Sequence, residues 1–283
     1  MQLVLRSFFT LLNFGNVMEN VLQVILLGVI EGITEFLPVS STGHLLIAEK
    51  LGLGVRSDLF NIVIQSGAIL AVTLIYWQRI WQLLININKG ENKTYAMKLA
   101  AAFLITAVLG ALISALGFKL PKEVTPIAWA LIIGGVWMLA AEWFAAKKID
   151  NATITWPVAI FVGIAQIVAG IFPGTSRSAA TIFAAMLSGT SNRAAATEFA
   201  FLVGIPTMYA ASAKEIYSAF NNSSLGIHEN WTDLGIGFAI STITAFISVK
   251  WLLRYIQTHR FTWFAIYRIL AGSFLLFVLP SGA

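Results

Sequence analysis

The chain has 283 residues, of which 58% are hydrophobic and only 11% charged, with a formal net charge of +5. Soluble domains carry about 25% charged residues, so a water-facing surface cannot be built from this composition and a soluble fold is excluded. The basic residues are scattered through short loops without an aromatic stripe or basic tail, which excludes nucleic acid as a partner, and the absence of cysteine excludes disulfides, thiolate metal sites and a cysteine nucleophile.

Residues 1–18 read as an N-terminal extension. They hold Arg6 and the short apolar run SFFTLLNF, but no small-x-small cleavage site follows. Met18 stands directly before ENVLQVILLG, the first strong hydrophobic run, and the extension is expected to carry no chemistry. From there Pro, Gly and loop charges divide the chain into helical segments near 20–37, 43–52, 58–81, 95–117 and 126–146, then 154–172, 178–189, 195–218, 233–256 and 262–280. Several contain windows long and apolar enough to cross a hydrocarbon core. Leu99 to Phe118 has no charge, Leu234 to Leu253 has only Lys250, and Phe261 to Pro280 has only Arg268. The nine Trp residues suit interfacial belts.

A shift of 135 positions lays GVIEGITEFLPVSST on GIAQIVAGIFPGTSR, with Gly28 on Gly163, Pro38 on Pro173 and Ser41 on Ser176. The order of helix lengths repeats as well, which favours a duplication into a first repeat, 19–150, and a second, 151–283. The segments near 43–52 and 178–189 are too short to cross, and each follows a Pro-containing polar break. Such breaks are tolerated at membrane depth only inside protein or a water-filled cavity, so both are read as re-entrant hairpins. Three crossings per half then invert the second half relative to the first. The expected fold is an all-α polytopic membrane protein, an inverted-topology repeat with two re-entrant helical hairpins and about six full transmembrane helices.

Loop charge orients this arrangement. Arg79, Lys89, Lys93, Lys147, Lys148, Arg193, Lys250, Arg254 and Arg260 fall on one side. The other side has Lys119 and Lys122 beside Glu123, and Lys214 beside Glu215, Glu229 and Asp233, while Lys50 and Arg56 run against the trend. The positive-inside bias makes the first side cytoplasmic and both chain ends extracytoplasmic, with the first hairpin entering from outside.

The chemistry concentrates in Glu31-Gly-Ile-Thr-Glu-Phe-Leu-Pro-Val-Ser-Ser-Thr-Gly-His44. Glu31 and Glu35 share a helix face, where two carboxylates in low dielectric repel unless a cation lies between them or one is protonated; that predicts a divalent metal or a proton. Pro38 ends the first helix, and Ser40, Ser41 and Thr42 fall at the expected N-cap of the next. His44 is close enough to Ser41 in sequence to serve as its base or as a proton donor to a leaving group. In the second hairpin Gly174 permits a tight turn, and Thr175 and Ser176 are candidate caps ahead of Arg177 and Ser178. An Arg in the first turn of a helix opposes the macrodipole and implies an anionic partner. Two helix N-termini aimed at one point, with that guanidinium, make a phosphate site from Ser40, Thr42, Thr175, Ser176, Arg177 and Ser178. Glu198, Lys250 and Arg268 read as internal pair partners, His228 and His259 as loop residues, and Gln65 and Pro206 as candidates to line the cavity.

EGITEFLPVSSTGHL and PGTSRSAAT resemble the two signature motifs of the undecaprenyl-diphosphate phosphatases, the bacitracin-resistance membrane phosphatases, and IVIQSGAILAV, EFAFLVGIP and FAIYRI agree. The likeness runs from about Met18 to the C-terminus, with Ala179 where the motif expects Gly. It implies a bacterial inner-membrane hydrolase, its site open to the extracytoplasmic face, that releases the terminal phosphate of the C55 isoprenoid diphosphate and regenerates the cell-wall lipid carrier. It implies dependence on Mg²⁺ or Ca²⁺ and functional roles for Glu31, Glu35, Ser41, His44, Ser176 and Arg177. The expected partners are the lipid substrate and the bilayer, with a homodimer left open.

Two alternatives stand beside that reading. A polyprenyl-phosphate transporter or flippase would use the same anion site, because inverted repeats with broken helices are a usual transporter plan. The other membrane phosphatase superfamily, with a histidine nucleophile, would place its second histidine at Phe183, which has no nucleophilic atom, so a histidine nucleophile is rejected. Between Ser41 and a metal-bound water as the attacking group the sequence leaves both open.

Overall fold

The computed structural model describes residues 16–117, 123–221 and 230–278. Most of the expected extension, Lys119, Lys122, His228, Glu229 and the C-terminal residues lie outside them. The described residues form eleven α-helices joined by turns and one π-helical stretch: α1 Asn16–Thr34, α2 Ser41–Ala48, α3 Asp58–Ile75, α4 Trp77–Ile85, α5 Gly90–Ala115 and α6 Val124–Ala145, then α7 Trp156–Ile171, α8 Arg177–Ser188, α9 Arg193–Asn221, α10 Trp231–Thr258 and α11 Thr262–Val278. Five of them, α3, α5, α6, α9 and α10, are long and apolar enough to cross a membrane. The chain is a multi-pass membrane protein, and eight of its Trp side chains are exposed on its surface.

Three boundaries differ from the sequence reading. The first helix starts at Asn16, inside the expected extension, and stops at Thr34 because residues 35–39 turn ahead of the cap at Ser40. The segment expected over 58–81 divides at Tyr76, whose φ of −94° and ψ of 10° leave the helical range. The nine-residue α4 that follows buries only Leu83 and leaves Trp77, Trp81, Leu84 and Ile85 exposed between polar residues, the pattern of a helix lying along a membrane interface. After α2 the chain winds as a π-helical stretch, Glu49–Leu53, with Gly52 at φ 101°.

Helix packing repeats between the two halves. α1 packs on α10 and α7 on α5, while α3 packs on α10 and α9 on α5. Close approach at the first two contacts needs glycine. A Cβ at Gly28 would stand 3.0 Å from Gly237 O, and one at Gly163 would stand 2.7 Å from Ala102 O. The sequence alignment of Gly28 with Gly163 therefore corresponds to equivalent packing roles. α8 is surrounded by α6, α7 and α9, which buries Ala179, Ile182, Phe183 and Met186.

Candidate active site

The turn after α1 holds the first motif in place. Glu35 N donates to Glu31 O at 2.9 Å, so the helical spacing of the two carboxylates persists past the last helical residue. Pro38 cannot continue the helix, and Ser40, at φ 78°, opens α2 by accepting from Gly43 N at 3.4 Å. In the second motif Thr175 N closes a turn on Phe172 O, Gly174 takes φ 94°, and Ser176, at φ 69°, caps α8 by accepting from Ala179 N at 3.3 Å. The matched caps are thus Ser40 and Ser176. The second break has Gly174 and Thr175 between proline and cap where the first has only Val39, so the true partner of Ser41 is Arg177 and not Ser176. Ala179, which stands where the motif expects Gly, is a buried helical residue whose N–H serves the cap.

The two breaks are tied to each other. Ser178 Oγ donates to Leu37 O at 3.1 Å and lies 3.0 Å from Ser176 Oγ. Arg268 is 0% exposed. Its guanidinium donates to Gly174 O at 3.0 Å and Pro38 O at 3.3 Å, and also to Ala130 O at 3.1 Å and Leu131 O at 3.4 Å. Sequence reasoning expected a charged partner for Arg268; the structure gives it four carbonyls, Pro38 O and Gly174 O from the two breaks and Ala130 O and Leu131 O from α6. The available signal was a single cation in an otherwise apolar window.

Between the breaks lies a polar chamber of about 50 Å³ lined by Glu35, Ser40, Ser41, Thr42, Gln65, Ser176 and Arg177, with Ala169 and Gly174 completing its wall. Ser41 Oγ donates to Glu35 Oε2 at 2.5 Å, and Gln65 Nε2 to Glu35 Oε1 at 3.4 Å. Glu31 is 2% exposed and its Oε2 has no hydrogen-bond partner, although Glu35 and Arg177 are near enough to act on its charge. Among the described residues Arg177 forms no salt bridge, in contrast to Arg56 with Asp233, Arg79 with Glu198 and Arg193 with Glu142. The chamber therefore holds a cation without a salt bridge among the described residues, and Glu31, one helical turn before Glu35, keeps a buried oxygen without a hydrogen-bond partner. The donors Glu31, Glu35 and Ser41 are all oxygen, which suits a hard divalent cation.

His44 is placed differently from the sequence expectation. Its Nδ1 lies 2.7 Å from Ser40 O and its Nε2 2.5 Å from Tyr267 Oη, against whose ring it stacks. A carbonyl only accepts, so Nδ1 carries the proton and in the neutral ring Nε2 accepts from the tyrosine. Ser41 has Glu35, not His44, as its hydrogen-bond partner. Thr175 does not line the chamber, and Ser178 donates to Leu37 O in the first break. Of the weaker candidates, Gln65 lines the chamber and Pro206 does not; Glu198 pairs with Arg79, Lys250 lies over Phe246, and His259 stacks on Tyr255.

The family model described as Bacitracin resistance protein BacA matches residues 24–274. The chain belongs to this family. An undecaprenyl-diphosphatase of Rhizobium etli (strain CIAT 652) is 65% identical over 257 residues, which cover 91% of this chain and 96% of that protein. One of Xanthomonas euvesicatoria pv. vesicatoria (strain 85-10) is 55% identical over 266 residues, 94% of this chain and all (100%) of that protein. The family match takes in both breaks, from Glu31 to His44 and from Pro173 to Thr181.

Proposed function

We propose that this protein hydrolyses undecaprenyl diphosphate to undecaprenyl phosphate and inorganic phosphate, recycling the cell-wall lipid carrier. The observation that carries the reading is the Ser41 hydroxyl, held on the Glu35 carboxylate in a chamber that Arg177 closes from the other hairpin. A carrier needs an anion site but no hydroxyl held on a base.

In this reading the terminal phosphate sits between the two helix N-termini, its oxygens on the Arg177 fork, Ser176 and the free N–H groups of α2 and α8. Ser41 Oγ attacks phosphorus as its proton moves to Glu35. The bond from phosphorus to the bridging oxygen breaks, the lipid monophosphate leaves, and water then releases phosphate from Ser41. Developing charge on the equatorial oxygens is met by donors already in place, which supplies most of the rate in phosphoryl transfer. Ser40 and Thr42 add donors at the chamber wall. His44 positions Ser40 and with it the start of α2. A bound Mg²⁺ or Ca²⁺ would be held by Glu31 and Glu35 and would neutralise charge on the diphosphate; two carboxylates leave its other positions to water and phosphate oxygens, the usual way Mg²⁺ is held.

The architecture supporting this is an inverted-topology repeat of residues 19–150 and 151–283, with α1–α2 and α7–α8 as re-entrant hairpins that meet near the midplane. The exchange of packing partners between halves, α1 on α10 and α7 on α5, supports it. The protein lies in the bacterial inner membrane with the chamber reached from the extracytoplasmic face. Phosphate release by purified protein from a polyprenyl diphosphate, with and without chelator, tests the reading. Release that chelation suppresses is expected; folded protein that releases none would overturn it.

A further inference from the structure

Few buried side-chain polar atoms lack a hydrogen-bond partner among the described residues, and two of them stand at positions related by the 135-position shift: Glu31 Oε2 on α1 and Gln166 Nε2 on α7. One is an acceptor and the other a donor. Gln166 is 4% exposed, and its Oε1 accepts from Thr207 Oγ1 at 2.8 Å. With the amide oxygen on Thr207, its nitrogen is the end left without a partner. Gln166 lines a second, smaller chamber together with Glu35, Arg177, Ser178 and Thr181, with Phe36 and Phe201 as apolar walls. Glu35 and Arg177 line both chambers. The carboxylate oxygens of Glu35 already accept from Ser41 and Gln65, and Arg177 offers only donors. The buried amide N–H has no hydrogen-bond partner among the described residues, and an unsatisfied buried donor is destabilising.

The volumes say what would satisfy it. The smaller chamber measures about 10 Å³, room for one atom group of water size. Glu35 and Arg177 wall both chambers, so a phosphate held on the Arg177 fork in the larger one lies beside the smaller one. We propose that Gln166 is a substrate-binding residue whose amide N–H donates to an oxygen of the terminal phosphate, beside Arg177. The two halves then divide the work at equivalent positions: the first offers a carboxylate to positive charge, the second an amide to negative charge. This inference rests on the phosphatase reading and assigns its anion contacts more finely.

The test compares Gln166→Leu, Gln166→Glu and Thr207→Val in purified full-length protein, reading KM, kcat and inhibition by inorganic phosphate, with thermal melting as the folding control. Gln166→Leu is expected to lower kcat/KM roughly 10- to 100-fold, the range for a lost hydrogen bond to a charged acceptor, and to weaken inhibition by phosphate. Gln166→Glu keeps the shape but points a carboxylate at the phosphate, so it should be the more damaging of the two. Were Gln166 only a packing residue, a folded Gln166→Leu would keep the wild-type KM and phosphate inhibition, and that result would overturn the inference. Thr207→Val frees the amide to turn and should raise KM with the melting temperature little changed; if both Gln166 variants fail to fold, this variant decides, and an unchanged KM and phosphate inhibition would sink the proposal. A wild type that releases no phosphate refutes the phosphatase reading itself, whereas an active wild type with insensitive variants refutes only the role of Gln166.

Discussion

Ser40 and Ser176 cap the two short helices with the same unusual backbone, φ 78° and ψ 102° in one and φ 69° and ψ 115° in the other. They are the only non-glycine residues with positive φ among those described. Such conformations are strained and persist where the surroundings over-determine them. Here the surroundings are the cap hydrogen bonds to Gly43 N and Ala179 N and the Arg268 clamp on Pro38 O and Gly174 O. The strained turn makes the next residue the first of its helix. That residue is Ser41 after the first break and Arg177 after the second, and both line the same chamber.

Ser41→Ala should abolish turnover while diphosphate lipid still binds, since the hydroxyl is one of several anchoring groups but is needed for bond making. Arg177→Lys should be nearly as damaging as Arg177→Ala, because an ammonium cannot reproduce the bidentate fork; loss of one preorganised donor costs on the order of 10² to 10³ in rate. Turnover of each variant and lipid retention by Ser41→Ala are the measurements. Near-normal turnover in Ser41→Ala would leave metal-activated water as the attacking group, and a tolerant Arg177→Lys would mean that charge alone suffices.

Glu31→Gln and Glu35→Gln separate the two carboxylates. Glu35 holds the Ser41 hydroxyl, so its amide should reduce kcat at every cation concentration. Glu31 touches no nucleophile, and its unused oxygen points to cation binding. Its amide should shift the Mg²⁺ or Ca²⁺ concentration giving half-maximal activity upward, with kcat partly restored at saturation. A titration in which both variants keep the wild-type cation response would make the carboxylates structural.

The membrane class, the two breaks and the polar cluster were legible because they rest on composition, proline and rare intramembrane charge, signals that do not depend on tertiary contacts. Less legible was anything set by one residue of register. The alignment on Pro38 and Pro173 puts Ser41 against Ser176, but the extra residue before Ser176 moves the cap and makes Arg177 the partner of Ser41. His44 is near Ser41 in sequence, yet Tyr267, far along the chain, decides where its ring turns. The roles of Arg268 and Gln166 depend on carbonyls and chambers assembled from both halves, which no local pattern encodes.

The loop charges make a topological prediction that the chain's lack of cysteine renders easy to check. Lys89 and Lys148 are exposed beyond α4 and α6, and Lys214 is exposed toward the end of α9. With single cysteines at these positions, a membrane-impermeant reagent applied to intact cells should label Lys214→Cys and spare Lys89→Cys and Lys148→Cys. Labelling of Lys89 and Lys214 from the same side would contradict the inverted arrangement.

Arg268 should matter to stability and to activity by the same route. It satisfies Pro38 O and Gly174 O, one carbonyl from each break, together with Ala130 O and Leu131 O. Buried polar groups left unsatisfied cost about 1–3 kcal/mol each, so Arg268→Leu should unfold or severely destabilise the protein. A gentler probe comes from Gly134 on α6, where a Cβ would collide with the Arg268 guanidinium. Gly134→Ala adds one methyl, keeps every charge and favours the helix by propensity. Overpacking of this kind costs about 1–3 kcal/mol, and the guanidinium must move away from the two breaks. The expected result is a lower melting temperature with kcat reduced more than KM is raised, since both helix N-termini lose their fixed direction while the individual anion donors remain. Gly134→Ala with wild-type kcat and melting temperature would mean that the guanidinium does not set the geometry of the breaks, and that the hydrogen bond from Ser178 to Leu37 O holds the two breaks together without it.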